Sequence, residues 1–263
     1  MLRPRDSLIV PLALAAFALL GAGPAAAAPR PRIEVAFVLD ATGSMGPWID
    51  EARSRIKSIA ADLAAGDPQP DVQFALVSYR DRGDAYVTRV SRFSPDIEAM
   101  RAALDGTQAE GGGDTPEAVL EALAVGLDDL KWSKEADTVR LLYLVGDARP
   151  QHYADGPDEQ VLLTLALDRG IVIHSIACGR MSLEGQTFFE RIARFSEGRP
   201  FRLADRVPGH VSERGETGAA GATSLRSAVS GTARAYSGAA GVAYAGTPVT
   251  ALTLPMPPLI ESG

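Results

Sequence analysis

The stretch "VAFVLDATGSM" (residues 35–45) is apolar for five residues and then turns polar, with Asp40, Thr42 and Ser44 at alternate positions. A continuous apolar run suits a strand covered on both faces of a sheet, whereas a half-wet strand would alternate. The period of two lets one carboxylate and two hydroxyls share a side where that strand ends. Gly43 and Gly46 allow a tight turn at the same place.

Outward from this strand, the chain alternates strand and helix signals. A helix follows, with Pro47 in its first turn and Ile49, Ala52, Ile56, Ile59, Ala60 and Leu63 spaced by threes and fours. "DVQFALVSYRD" (71–81) and "DAYVTRVSRF" (84–93) flank Arg82-Gly83 and read as a hairpin. A short helix is predicted over 97–104. A longer one is predicted within "TPEAVLEALAVGLDDL" (115–130), with Pro116 in its first turn and Thr115 as its cap. "TVRLLYLVGD" (138–147) is a second buried strand. A helix near 157–169, the strand "IVIHSIA" (171–177), a helix near 185–196 and the short strand "PFRLAD" (200–205) complete the series. The expected fold is α/β, with a mostly parallel central sheet, one antiparallel edge strand and helices on both faces.

The expected organisation has four parts. Residues 1–27 read as a signal peptide: Arg3 and Arg5 precede the apolar run Leu8–Leu20, and Ala25, Ala26, Ala27 and Ala28 supply a cleavage site, placed after Ala27. The rival reading is an uncleaved anchor, but that run is short against the roughly 20 residues of a membrane-spanning helix, so cleavage and no membrane span in the mature chain are expected. A linker (28–32) leads to the domain (33–204). A Gly/Ala/Ser-rich tail (205–263) follows, with one amphipathic segment at 225–236 that reads as a helix. The expected location is periplasmic or extracellular.

The formal net charge is −7 at pH 7 and no basic cluster is present, which argues against nucleic acid as a partner. The single cysteine, Cys178, leaves no intrachain disulfide. His174 lies four residues before it on the same strand face, and both read as core filler rather than a nucleophile and its base.

Three polar loops fall at strand ends or before a helix: "DATGS" (40–44), "GGGDT" (111–115) and "GDARPQH" (146–152). In open α/β sheets, ligands bind outside the carboxyl ends of the strands. Clusters of Asp, Ser and Thr oxygens suit a hard cation, Mg²⁺ first, with Mn²⁺ or Ca²⁺ as substitutes. No Cys/His spacing for zinc is present.

These residues resemble the von Willebrand factor A domain, the fold shared with integrin I domains. Asp40, Thr42 and Ser44 match its Asp-x-Ser/Thr-x-Ser element, which opens the metal ion-dependent adhesion site. Asp147 in "LVGDARP" matches its last metal loop. The resemblance implies that Thr42 and Ser44 ligate the ion directly, while Asp40 and Asp147 act largely through water. The middle loop departs from the common Gly-Gly-Thr pattern and looks like a subgroup with Gly-Gly-Gly-Asp-x-Pro-Glu. Gly113 stands where the family has Thr, so the third oxygen comes from Asp114 or from Thr115. We expect Asp114 to approach the ion and Thr115 mainly to cap the helix.

By this resemblance the chain is a non-catalytic adhesion or protein-binding module. Its protein partner would offer an acidic side chain to the metal, and its oligomeric state is open. A phosphatase of the haloacid dehalogenase type would need a second Asp at position 42, where Thr stands. An assembly factor working beside an ATPase fits poorly with export. Arg82-Gly83-Asp84 spells a tripeptide that some integrins bind, but a hairpin turn needs Gly and Asp there for backbone reasons.

Overall fold

The computed structural model describes residues 30–112, 115–203 and 224–244. Six strands form one sheet: β1 (Arg32–Asp40), β2 (Asp71–Tyr79), β3 (Thr88–Ser94), β4 (Thr138–Gly146), β5 (Ile171–Cys178) and β6 (Pro200–Leu203), in the order β3-β2-β1-β4-β5-β6. All neighbours run parallel except the β2–β3 hairpin at one edge. The chain steps from β1 to β2 on one side and returns to β4 on the other. The crevice between β1 and β4 is therefore the topological switch point, where such sheets bind ligands.

The apolar run of β1 explains its central place. Ile33, Val35, Phe37 and Leu39 pack on one face, under α1 (Gly46–Ala64), α2 (Ile97–Asp105) and α6 (Leu225–Ser237). Ala36 and Val38 pack on the other, under α3 (Val119–Ala124), α4 (Glu159–Asp168) and α5 (Leu183–Phe195). Four helix starts are capped by side chains: Asp96, Asp158, Ser182 and Ser224 each accept a bond from a first-turn N–H.

The helix expected at 225–236 is α6, and it is part of the core. Leu225, Ala228, Val229 and Ala233 are buried on the sheet. The Tyr143 hydroxyl on β4 bonds with Thr232 Oγ1 at 2.7 Å. Arg226 forks onto Asp62 of α1 with two bonds of 2.8 Å. His174 stacks on Tyr143 with ring centres 5.0 Å apart, and its Nδ1 accepts the Arg199 N–H. Burial holds its pKa down at about 3, so it is a neutral packing residue, as expected from the sequence. Cys178 is buried as well, and burial pushes its thiol well above the usual range.

One expectation is corrected. The helix predicted over 115–130 begins at Val119, with Ala118 at its N-cap and no side-chain cap. Thr115 is exposed, four positions ahead, and caps nothing. The reason is a long-range pairing. Glu117 forms a parallel bridge with Pro150, its N–H donating to Arg149 O at 3.1 Å and its C=O accepting from Gln151 N at 2.7 Å. Those bonds hold residues before Val119 extended. Beyond Ala124 the helix widens into a π-type segment, Val125–Asp129.

The predicted signal peptide, Asp114 and most of the predicted tail lie outside the described residues. Among those described, no helix is long and apolar enough to cross a membrane.

Candidate metal centre

Asp40 is the last residue of β1 and is completely buried. The backbone turns immediately after it, so both Thr42 N–H and Thr42 Oγ1 donate to Asp40 Oδ1, at 2.8 and 2.7 Å. The other carboxylate oxygen, Oδ2, is buried and makes no hydrogen bond. Ser44 follows in a single 3-10 turn (Gly43–Met45) with its side chain exposed. Asp147 stands just past the end of β4, across the switch point, and is half-buried. The fold thus gathers Asp40, Thr42, Ser44 and Asp147 at one end of adjacent strands.

Two further loops close over this end. Gly43 N–H donates to Gly111 O, and Glu110 N–H donates to Ala41 O, so the second loop lies on the first. Gly112 N–H donates to Asp84 Oδ2 at 3.1 Å, which ties in the loop after β2. Gly112 has φ +62°, and a Cβ there would lie 2.9 Å from Thr42 Cβ and 3.0 Å from Glu117 Oε1. Only glycine fits that close approach.

Arg80, just past the end of β2, is buried. Its guanidinium donates to Ala41 O at 3.2 Å and Gln108 O at 2.8 Å, holding two site loops together. Arg82 is engaged by Glu121 and Asp155 and lies over the Tyr153 ring, while Asp84 serves Gly112. The Arg82-Gly83-Asp84 side chains thus have structural work within the domain.

Sequence reasoning missed two members of the site. Glu117 is 2% exposed, and its Oε2 has no hydrogen-bond partner. Tyr79, at the end of β2, is fully buried with an unpartnered hydroxyl. The signal for Glu117 lies in "GGGDTPE", but nothing in the local sequence marks its side chain as buried.

The electrostatics are those of anions crowded out of water. Burial raises Asp40 from 3.8 to about 7, the two Thr42 hydrogen bonds oppose this, the charge of Asp147 adds to it, and the Asp147 backbone N–H opposes it. Burial raises Glu117 from 4.5 to about 8, and the charges of Asp40, Asp81, Asp84 and Asp147 push the same way. The Tyr79 phenol is raised well above its ordinary value by burial and by Asp40.

Among the described residues, no three His, Cys, Asp or Glu side chains form a ready cage for a metal. A site built on hydroxyls and water-bridged carboxylates needs none. An unpartnered buried carboxylate oxygen beside a hydroxyl and a second carboxylate is the donor set a hard cation takes. Asp40, Thr42, Ser44 and Asp147 fit such an ion.

Comparison with known proteins bears on the fold and family. The chain is 30% identical over 126 residues to an ariadne-like RING finger protein of Acanthamoeba polyphaga mimivirus, covering 48% of this chain and 12% of that protein. It is 35% identical over 97 residues to the human von Willebrand factor A domain-containing protein 7, covering 37% of this chain and 10% of that one. The chain therefore matches only about a tenth of each relative's length. Among solved structures, proximal thread matrix protein 1 from the mussel byssus superposes with a TM-score of 0.51 at 17% identity, covering 81% of this chain and 47% of that one. That likeness concerns the fold alone. The family model for the von Willebrand factor A domain matches residues 34–204. With six strands in this order, helices on both faces and that match over most of the chain, the protein belongs to the von Willebrand factor A domain family, whose domains commonly mediate protein interactions.

Proposed function

We propose that this domain is a protein-binding module that holds a divalent cation at the end of β1 and β4 and uses it to bridge to a partner. The observation that carries the reading is Asp40, a fully buried carboxylate whose Oδ2 has no partner at the switch point of the sheet. A buried carboxylate oxygen without a cation or donor is costly, and a bound Mg²⁺ would remove that cost. Thr42, Ser44 and Asp147 would hold the ion with Asp40, and Asp114 or Thr115 would add the remaining protein oxygen. The ion would supply a concentrated positive charge and an open position for an oxygen of the partner.

A binding role is favoured over hydrolysis. Cys178 and His174 are locked in the core, and Thr42 stands where a phosphatase of the haloacid dehalogenase type would need a second carboxylate. With the basic and apolar start of the chain, we place the working domain in the periplasm or outside the cell.

The test is capture from cell-envelope extract on immobilised protein. A partner should be retained in Mg²⁺, released by EDTA, and absent with Asp40→Asn. Retention that ignores both EDTA and the substitution would refute metal bridging.

A further inference from the structure

Glu117 stands out because nothing among the described residues balances it. It is almost fully buried, its Oε2 has no hydrogen-bond partner, and it forms no ion pair among the described residues. The charges acting on it most strongly belong to Asp40, Asp81, Asp84 and Asp147, all acids. Its backbone is pinned through the bridge to Pro150, three residues past Asp147. Its Oε1 and Thr42 Cβ border the same narrow gap above Gly112. A carboxylate fixed there, with no donor to Oε2 among the described residues, borders the loops that carry Thr42 and Asp147.

We propose that Glu117 is an outer carboxylate of this centre, acting on the ion through water rather than as a third direct ligand, so that the loaded site is net negative and takes a neutral oxygen from its partner rather than a carboxylate. The proposal rests on the reading that the site binds a divalent cation. Asp40, Asp147 and Glu117 bring three negative charges against two positive ones. Each added anion strengthens the hold on the ion and repels an incoming carboxylate. Asp81 and Asp84 extend the negative field along the rim, and the nearby guanidinium groups are already paired with acids: Arg80 with Glu110, Arg82 with Glu121 and Asp155. The fitting partner group is a hydroxyl or amide carbonyl flanked by basic side chains. This replaces the acidic side chain that family resemblance alone suggests.

Mn²⁺ tests this directly, since its paramagnetism reports the waters it keeps. Mn²⁺ is titrated into wild type, Glu117→Gln and Asp40→Asn by electron paramagnetic resonance, and acetate is then added while water-proton relaxation is followed. Glu117→Gln should weaken Mn²⁺ binding by about 10–100-fold, the range for groups that support a metal without dominating it. Acetate at tens of millimolar should leave wild-type relaxation unchanged and lower it in Glu117→Gln, as acetate displaces a bound water. Equal Mn²⁺ affinity in wild type and Glu117→Gln, with binding lost in Asp40→Asn, would overturn the role of Glu117 and leave the metal reading standing. Acetate entering the wild-type site would overturn the charge argument without needing any variant. Absence of Mn²⁺ binding to wild type would remove both.

Discussion

Asp40 and Tyr79 are register partners at the ends of β1 and β2, and each carries a buried oxygen with no hydrogen-bond partner. Both oxygens border the space above Gly146, where a Cβ would lie 3.4 Å from Asp40 Oδ2 and 2.6 Å from the Tyr79 hydroxyl. The missing side chain at Gly146 keeps that space open. Gly146→Ala should force the phenol or the carboxylate aside, costing about 1–3 kcal/mol by overpacking. Chemical denaturation in EDTA measures the cost, and Mg²⁺ binding should weaken in parallel. Unaltered stability together with unaltered binding would show that the space is not used.

The raised acids make a pH prediction with a definite sign. Asp40 rises from 3.8 to about 7 and Glu117 from 4.5 to about 8 in the folded chain. Folded protein therefore keeps protons that unfolded chain has released. Their stabilisation is complete below about pH 4 and is lost as pH climbs towards about pH 8. His174, held down at about 3, acts in the opposite direction, costing stability as pH falls below about 6.5. In EDTA the denaturation midpoint should fall on the alkaline side, and Asp40→Asn with Glu117→Gln should flatten that fall. Mg²⁺ should reverse it, because the ion displaces the same protons and binds more tightly as pH rises. A midpoint that stays level across this range in EDTA, for wild type as for the double variant, would contradict the assigned burial.

Much of this architecture is legible locally. The apolar runs of β1, β4 and β5 could only be interior strands, and the turn from Leu39 to Asp40 marks where the sheet meets its site. Asp147 is readable for the same reason. Glu117, Tyr79 and Arg80 are not, because their burial depends on partners distant in sequence. Glu117 turns inward because its backbone pairs with Pro150, and Arg80 turns inward to reach Ala41 and Gln108 carbonyls. A local reading of "TPEAV" sees only Pro before a helix and assigns Thr115 a cap that the long-range pairing removes.

α6 carries a prediction about the domain's extent. Leu225 is 3% exposed on the sheet, whereas Leu183 at the start of α5 is 78% exposed. Leu225→Ala should cost about 2–5 kcal/mol, as for other buried leucines. Leu183→Ala should stay within about 0.5 kcal/mol of wild type. Urea midpoints of the two variants compare them directly, and equal midpoints would mean that α6 adds nothing to the core.

The central claim is that the buried, unpartnered oxygen of Asp40 belongs to a divalent-cation centre. Its most direct test is titration calorimetry of Mg²⁺ into wild type and Asp40→Asn, with thermal melts of both in EDTA and in Mg²⁺. Wild type should bind one ion and melt higher in Mg²⁺, since free ion at about 100 times Kd stabilises the folded state by about 2.7 kcal/mol. Asp40→Asn, which keeps the shape and removes the charge, should show neither the heat nor the shift while melting no lower than wild type in EDTA. The same heat and the same shift in both proteins would contradict the account.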